Sequence, residues 1–362
     1  MFITEKEQLK PYQKENRLWQ GIPGIEITKG GRLFVTFYSG KRGEGVGNYI
    51  LLKMSDDDGY TWSPIIAAYE PKEPLRAFDP CIWMDPIGRL WWFWSECEGE
   101  HWDGIGGVWF CRCDNPDEKI LKWTEPVRFA NGVMMNKPTV LSNGDWLMPC
   151  AVWDYDKPKV IQSERKSNVY ISKDNGEKFH LHGQADVVGR NSCDEHMVLE
   201  LKDGRLLMLV RTHYGIGKSY SFDMGKTWTP GEDSGLGGPC SRFYIRRLKS
   251  GRILLVNHYH FKGRNNLTAM LSEDECESWK GFLILDERNA VSYPDGTQDN
   301  EGNIYIIYDR ERGDRYGDNT ENSTDAKEIL MAKVTEEDIL AGKLTNKNSR
   351  LQVIADKLDN KI

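Results

Sequence analysis

Six times along the chain a turn glycine opens a run of strongly β-forming residues. The runs read G-R-L-F-V-T-F from Gly31, G-R-L-W-W-F-W from Gly88, G-D-W-L-M-P-C from Gly144, G-R-L-L-M-L-V from Gly204, G-R-I-L-L-V-N from Gly251 and G-N-I-Y-I-I-Y from Gly302. The intervals between the glycines are 57, 56, 60, 47 and 51 residues, room for four short strands and their turns. A repeat of that length is the unit of a propeller blade. Six copies predict an all-β, six-bladed β-propeller of four-stranded antiparallel blades, a single domain over 1–362 with 310–362 as its closing segment. Only T-E-E-D-I-L-A-G reads as a helix, with Thr335 as N-cap and Gly342 near its end.

A second repeat lies between the strands. S-D-D-D-G-Y-T-W at Ser55 returns as S-K-D-N-G-E-K-F at Ser172, S-F-D-M-G-K-T-W at Ser221 and S-E-D-E-C-E-S-W at Ser272, and a blurred copy runs from Cys113 to Trp123. Such a stretch predicts a hairpin turn in which Ser and Asp bond nearby backbone, Gly takes a positive φ and Trp packs between sheets. A Ca²⁺ loop would need more oxygen ligands at regular spacing. Cys276 replaces the glycine in the last copy, which predicts a differently built turn there.

Composition agrees with many short strands: 35 Gly, 13 Trp and 15 Tyr, with 39% hydrophobic residues. A net charge of −7 offers no basic footprint for nucleic acid or an anionic membrane. No apolar run reaches membrane-spanning length. The first residues lack a signal-peptide layout, so the eight cysteines read as reduced thiols of a cytoplasmic protein. His258 and His260 alternate as a metal pair on a strand would, without a third ligand nearby, and C-R-C at Cys111 and Cys113 has no metal or redox spacing.

The serine-aspartate repeat is the Asp box, and the chain resembles the sialidase (neuraminidase) superfamily of six-bladed propellers over roughly residues 15 to 310. Several segments are similar to active-site segments of that family. C-D-E-H-M-V-L-E-L-K-D-G-R-L-L-M-L-V-R places Glu195 and Arg211 as catalytic glutamate and carboxylate-binding arginine. G-R-N-N-L-T-A-M-L-S-E-D places Arg264 as a second arginine, and V-S-Y-P-D-G places Tyr293 as nucleophile. G-K-R-G-E-G-V-G-N-Y-I sits where the family keeps its acid/base aspartate, with Glu44 the nearest match and Asp79 in R-A-F-D-P-C the alternative. The family's Phe-Arg-Ile-Pro signature stands here as Q-G-I-P, so Gly21 replaces the first arginine of a triad. Arg17 and Arg242 are the candidates to take its place, and Lys137 in M-N-K-P-T is a further cation.

The resemblance implies an exo-glycosidase acting on a terminal, acidic sugar of an oligosaccharide or glycoconjugate, with no metal or organic cofactor. A neutral tyrosine approaches an anomeric carbon that bears a carboxylate with less repulsion than a carboxylate nucleophile, and it needs a base such as Glu195. Two readings stay open beside it. One is a carbohydrate-binding propeller without turnover; the other is a glycosidase for a uronic acid or neutral deoxy-sugar, using Asp79, Glu195 and Lys137. Asp194 and Glu195 are neighbours, so on a regular strand only one faces the axis. Trp19, Trp83 and Trp153 are candidates either for stacking on sugars or for packing between blades.

Overall fold

The computed structural model describes residues 1–40, 43–99, 104–153, 159–187, 191–312 and 326–358. Six antiparallel sheets follow one another along the chain, each built on a four-stranded meander that starts from its innermost strand. The six innermost strands are Trp19–Ile27, Leu75–Met84, Thr139–Val140, Asn191–Glu200, Tyr244–Arg247 and Val291–Gln298. Blade one carries a fifth, outer strand, Phe2–Ile3, hydrogen-bonded to Ala67–Tyr69. Blade six takes all four of its strands from Val291–Gln298 through Arg350–Lys357. The segment beyond residue 310 therefore supplies two full strands of a blade, not only a closing tail. The short helix Glu336–Ala341 begins in a capping box at Thr335 and ends on Gly342 at φ 65°, as its sequence predicts.

The turn glycines join each inner strand to the second strand at one end of the propeller, with φ between 87° and 97° in all six. The second-to-third-strand loops and the starts of the inner strands share the opposite, upper end. The Asp boxes close the lower hairpins between third and fourth strands. Ser55 Oγ accepts from the Gly59 amide at 2.9 Å and donates to Asp57 at 2.8 Å, while Asp57 accepts from the amide and hydroxyl of Thr61. Cys276 does not change this plan. Its amide donates to Ser272 Oγ at 2.9 Å and its φ is 77°, the same as Gly59. The turn is built identically, with the left-handed conformation imposed on a residue that has a Cβ.

Between blades the core is aliphatic and aromatic. Trp19, Trp83 and Trp153 all pack inside it, against Tyr38, Trp146 and Phe78 respectively, so packing and not sugar stacking accounts for them.

Candidate active site

The upper ends of four inner strands carry the same irregularity. Register slips between Gly21 and Gly24, Phe78 and Cys81, Asp194 and Met197, and Ser292 and Asp295, leaving two residues opposite one in each blade. Inside each bulge a residue with a side chain is held at positive φ: Ile22 at 56°, Asp79 at 48°, Glu195 at 44° and Tyr293 at 55°. Left-handed backbone costs such residues roughly 1–2 kcal/mol each, and strain of this kind gathers where side-chain aim matters. Asp194, also left-handed at 58°, turns to Arg165 at 3.3 Å, while Glu195 turns to the axis.

Two of the bulge side chains, Glu195 and Tyr293, meet on one arginine. Arg211, from the second strand of blade four, donates through Nη1 both to Glu195 Oε1 and, at 3.1 Å, to the Tyr293 hydroxyl. Its Nη2 donates to the Cys240 carbonyl at 3.0 Å, and Arg264 Nη2 donates to the same oxygen at 3.2 Å. The Arg264 guanidinium lies 5.3 Å over the Tyr293 ring and that of Arg312 lies 4.7 Å over it. Burial pushes the Tyr293 phenol up, Glu195 adds to this, and the guanidiniums of Arg211, Arg264 and Arg312 oppose it.

Asp79 completes the acidic side. It is 1% exposed, and its Oδ1 has no hydrogen-bond partner among the described residues. Burial drives its carboxyl well above the usual range, and Glu44 and Glu195 push it further, against Arg76 and Arg242. Its surroundings thus favour the protonated form of the carboxyl. Glu44, on the upper loop of blade one, is ion-paired with Arg312 at 3.2 Å.

Two of the cations read from the sequence as substrate-binding lie elsewhere. Lys137 is buried, donating to the carbonyls of Ile25 and Gly296 and paired with Glu26 at 3.2 Å. Arg242 donates to Asn136, to the carbonyls of Pro23 and Met135, and toward Asp295 at 3.5 Å. Together with Glu26 and Asp295 they form a charge-balanced plug through the axis beneath the bulges. Their donors are spent on holding four blades together. Lys137 is also two positions beyond its blade's counterpart of Asp79, which is Met135. Arg17 is likewise committed, to Gln20 at 2.6 Å and Asp356 at 3.0 Å. His258 bonds the Asn265 carbonyl, and His260 lies past the strand's end. No group of three or more His, Cys, Asp or Glu among the described residues could hold a metal ion.

Sequence reasoning missed Arg312. It follows the second strand of blade six in E-R-G-D-R, which reads as an ordinary solvated turn. The geometry that marks it, a guanidinium over Tyr293 beside Glu44, joins residues more than 260 positions apart.

The arrangement offers a tyrosine hydroxyl fixed by a buried guanidinium, a carboxylate on that same guanidinium, a buried carboxyl whose surroundings favour its proton, and further positive charge over the ring. These are the parts of an acid-assisted displacement at a carbon next to an anionic group.

The model of the BNR repeat-like domain matches residues 31–306. No curated protein matches the sequence. Among solved structures, the intramolecular trans-sialidase from Ruminococcus gnavus superposes with a TM-score of 0.66 at 14% identity, covering 92% of this chain and 97% of that one. The Hadza microbial sialidase Hz136 gives 0.67 at 20%, covering 82% of this chain and 64% of that one. A protein of unknown function from Dyadobacter fermentans gives 0.63 at 19%, covering 82% and 92%. At these identities the likeness is one of fold.

Proposed function

The chain belongs to the family of BNR repeat-like domains, and on that premise we propose that it is a glycoside hydrolase that removes a terminal, acidic sugar from a glycan. The observation that carries the reading is the shared contact of Arg211 Nη1 with Glu195 and the Tyr293 hydroxyl. It holds a nucleophile and a base on one guanidinium.

In the first step Tyr293 Oη attacks the anomeric carbon and its proton passes to Glu195. Asp79 gives its proton to the glycosidic oxygen, and the C–O bond to the leaving group breaks. In the second step water attacks the anomeric carbon and gives a proton to Asp79, the bond from that carbon to Tyr293 Oη breaks, and Glu195 returns its proton to the released phenolate. Arg211 and Arg264 hold the substrate carboxylate by charge-assisted hydrogen bonds. Asp79 fits the acid role better than Glu44, because burial first, and then Glu44 and Glu195, favour its protonated form, whereas Glu44 is engaged with Arg312.

The test is hydrolysis of aryl α-sialosides, uronides and neutral deoxy-glycosides by wild type and Tyr293→Phe. Turnover of a carboxylate-bearing glycoside, reduced ~10³-fold or more by losing the hydroxyl, is expected. Activity confined to neutral glycosides, or surviving in Tyr293→Phe, rejects this mechanism. Binding of an acidic glycan without turnover of any substrate leaves a lectin-like propeller.

A further inference from the structure

Gly21 has no side chain, and the space a side chain would need is occupied. A Cβ at position 21 would lie 2.7 Å from Arg312 Cγ, closer still to Cδ, and 3.1 Å from Asp309 Oδ2. The methylenes of Arg312 cross over blade one at this point. Asp309 ties the crossing down: it accepts from the Ile22 amide at 2.7 Å and from Ser292 Oγ at 2.7 Å, and it lies 3.8 Å from Arg312 Nε. One carboxylate thus joins the bulge of blade one, the bulge of blade six and the root of the arginine. The Arg312 side chain is 5% exposed, with its guanidinium over the Tyr293 ring and Glu44 on its Nη1.

Counting charge around Tyr293 shows what is left over. Arg211 is matched by Glu195 and Arg312 by Glu44 and Asp309, while Arg264 has no carboxylate partner among the described residues. Three guanidiniums from three blades thus converge on one phenol, and Arg264 among them brings a positive charge with no carboxylate on it among the described residues. Such charge is best satisfied by an anion that approaches it in the dry interior.

We propose that Gly21, Arg312 and Glu44 form one specificity device: Arg312 reaches across from the last blade to contact the substrate's carboxylate, Gly21 clears its path, and Glu44 is a positioning residue that fixes the guanidinium and is not the proton donor. The inference rests on the reading that the site takes an acidic sugar. It places the third cation of the site on a blade and loop different from those of the residue that Gly21 replaces.

Calorimetric binding of N-acetylneuraminate, D-glucuronate and neutral galactose separates this device from the hydrolytic reading. It is applied to wild type, Gly21→Ala, Arg312→Gln, Arg312→Lys and Glu44→Gln, each checked for an unchanged melting curve. Arg312→Gln and Gly21→Ala are expected to weaken the carboxylate-bearing ligand at least tenfold and leave galactose unaffected. Arg312→Lys should recover part of the loss, and Glu44→Gln should cost a few-fold. Arg312→Gln alone decides the matter if Gly21→Ala fails to fold. In turnover, Glu44→Gln should raise KM equally for aryl and alkyl glycosides and spare kcat.

Unchanged carboxylate binding in Arg312→Gln overturns the proposal, as does a wild type that binds no carboxylate-bearing sugar. A Glu44→Gln enzyme that loses kcat on alkyl glycosides but keeps it on activated aryl ones assigns Glu44 as the acid and overturns its positioning role. A wild type that binds acidic sugars through Arg312 yet hydrolyses none rejects the hydrolytic reading and leaves the device standing.

Discussion

Asp79 combines the two kinds of cost that single residues carry in this protein. Its backbone is left-handed and its carboxyl is buried, with one oxygen unpartnered among the described residues. A carboxyl whose pKa is raised in the folded state is bound to its proton there while the unfolded chain releases it. Stability is therefore full below the unfolded value near 3.8 and falls as pH rises from there toward the folded pKa. Asp79→Asn keeps the shape and removes the titration, so it should raise stability at pH 7 by about 1–2 kcal/mol, a gain not seen at pH 3.5. The same change should lower kcat on poor leaving groups by ~10²–10⁴-fold and remove the alkaline limb of the pH profile. Urea midpoints at the two pH values and pH-rate profiles check both halves. A loss of stability at pH 7 would contradict the protonated-acid assignment.

At the scale of elements, the chain repeats positions as well as sequences. Ile22, Asp79, Met135, Glu195, Arg242 and Tyr293 each stand nine residues before the turn glycine of their blade. Two of them meet on Arg211, a third, Asp79, feels the charge of Glu195, one joins the axial plug and two are apolar. The fold was legible because six spaced glycine-led runs force six similar sheets, and that glycine count marks the bulge as well. Glu44 and Arg264 likewise share one loop position, thirteen residues after Gly31 and Gly251. Arg312 obeys no such count, being ten residues after Gly302, and its identity as a site residue depends on an empty Cα at position 21. A long-range steric vacancy leaves no local pattern to read. The Asp boxes give the opposite case, where a local pattern overstates what the backbone requires. Cys276 holds φ 77° without glycine, so at that turn a Cβ is tolerated. At Gly176, with φ 85°, a Cβ would fall 2.6 Å from Trp91 and 2.7 Å from Trp146. Gly176→Ala should therefore cost about 3 kcal/mol, left-handed strain plus overpacking against two tryptophans. A urea midpoint unchanged within error would show that the indoles can yield.

At the scale of the whole molecule, the ring must close without a shared sheet, since the N-terminal strand Phe2–Ile3 pairs inside blade one and blade six is complete on its own. Side chains make the seam. Asp356, on the last strand of blade six, accepts from Arg17 at 3.0 Å and from Lys53 at 2.7 Å, both belonging to the first blade's end of the chain. On the same seam Asp58 pairs with Lys333 at 2.7 Å and Arg350 at 3.0 Å, and Gln20 donates to the Lys327 carbonyl at 2.8 Å. Burial pushes the Asp356 carboxyl up, but Arg17 and Lys53 outweigh it and hold the group below its ordinary range. A carboxylate depressed in this way contributes stability above its unfolded pKa, near 3.8, and loses it as pH falls through the lower folded value. Asp356→Asn leaves two cations facing one another at 1% and 12% exposure with no carboxylate between them. Removing one partner of such a buried pair should cost about 3 kcal/mol at pH 7, and the gap to wild type should narrow below pH 3 as wild-type Asp356 takes up its own proton. Amide exchange gives the spatial test: protection should fall first in blades one and six, which face each other across the seam, while blades three and four keep theirs. Uniform loss across all six blades would mean that the ring unfolds as one unit and that Asp356 contributes no more to the seam than to the rest.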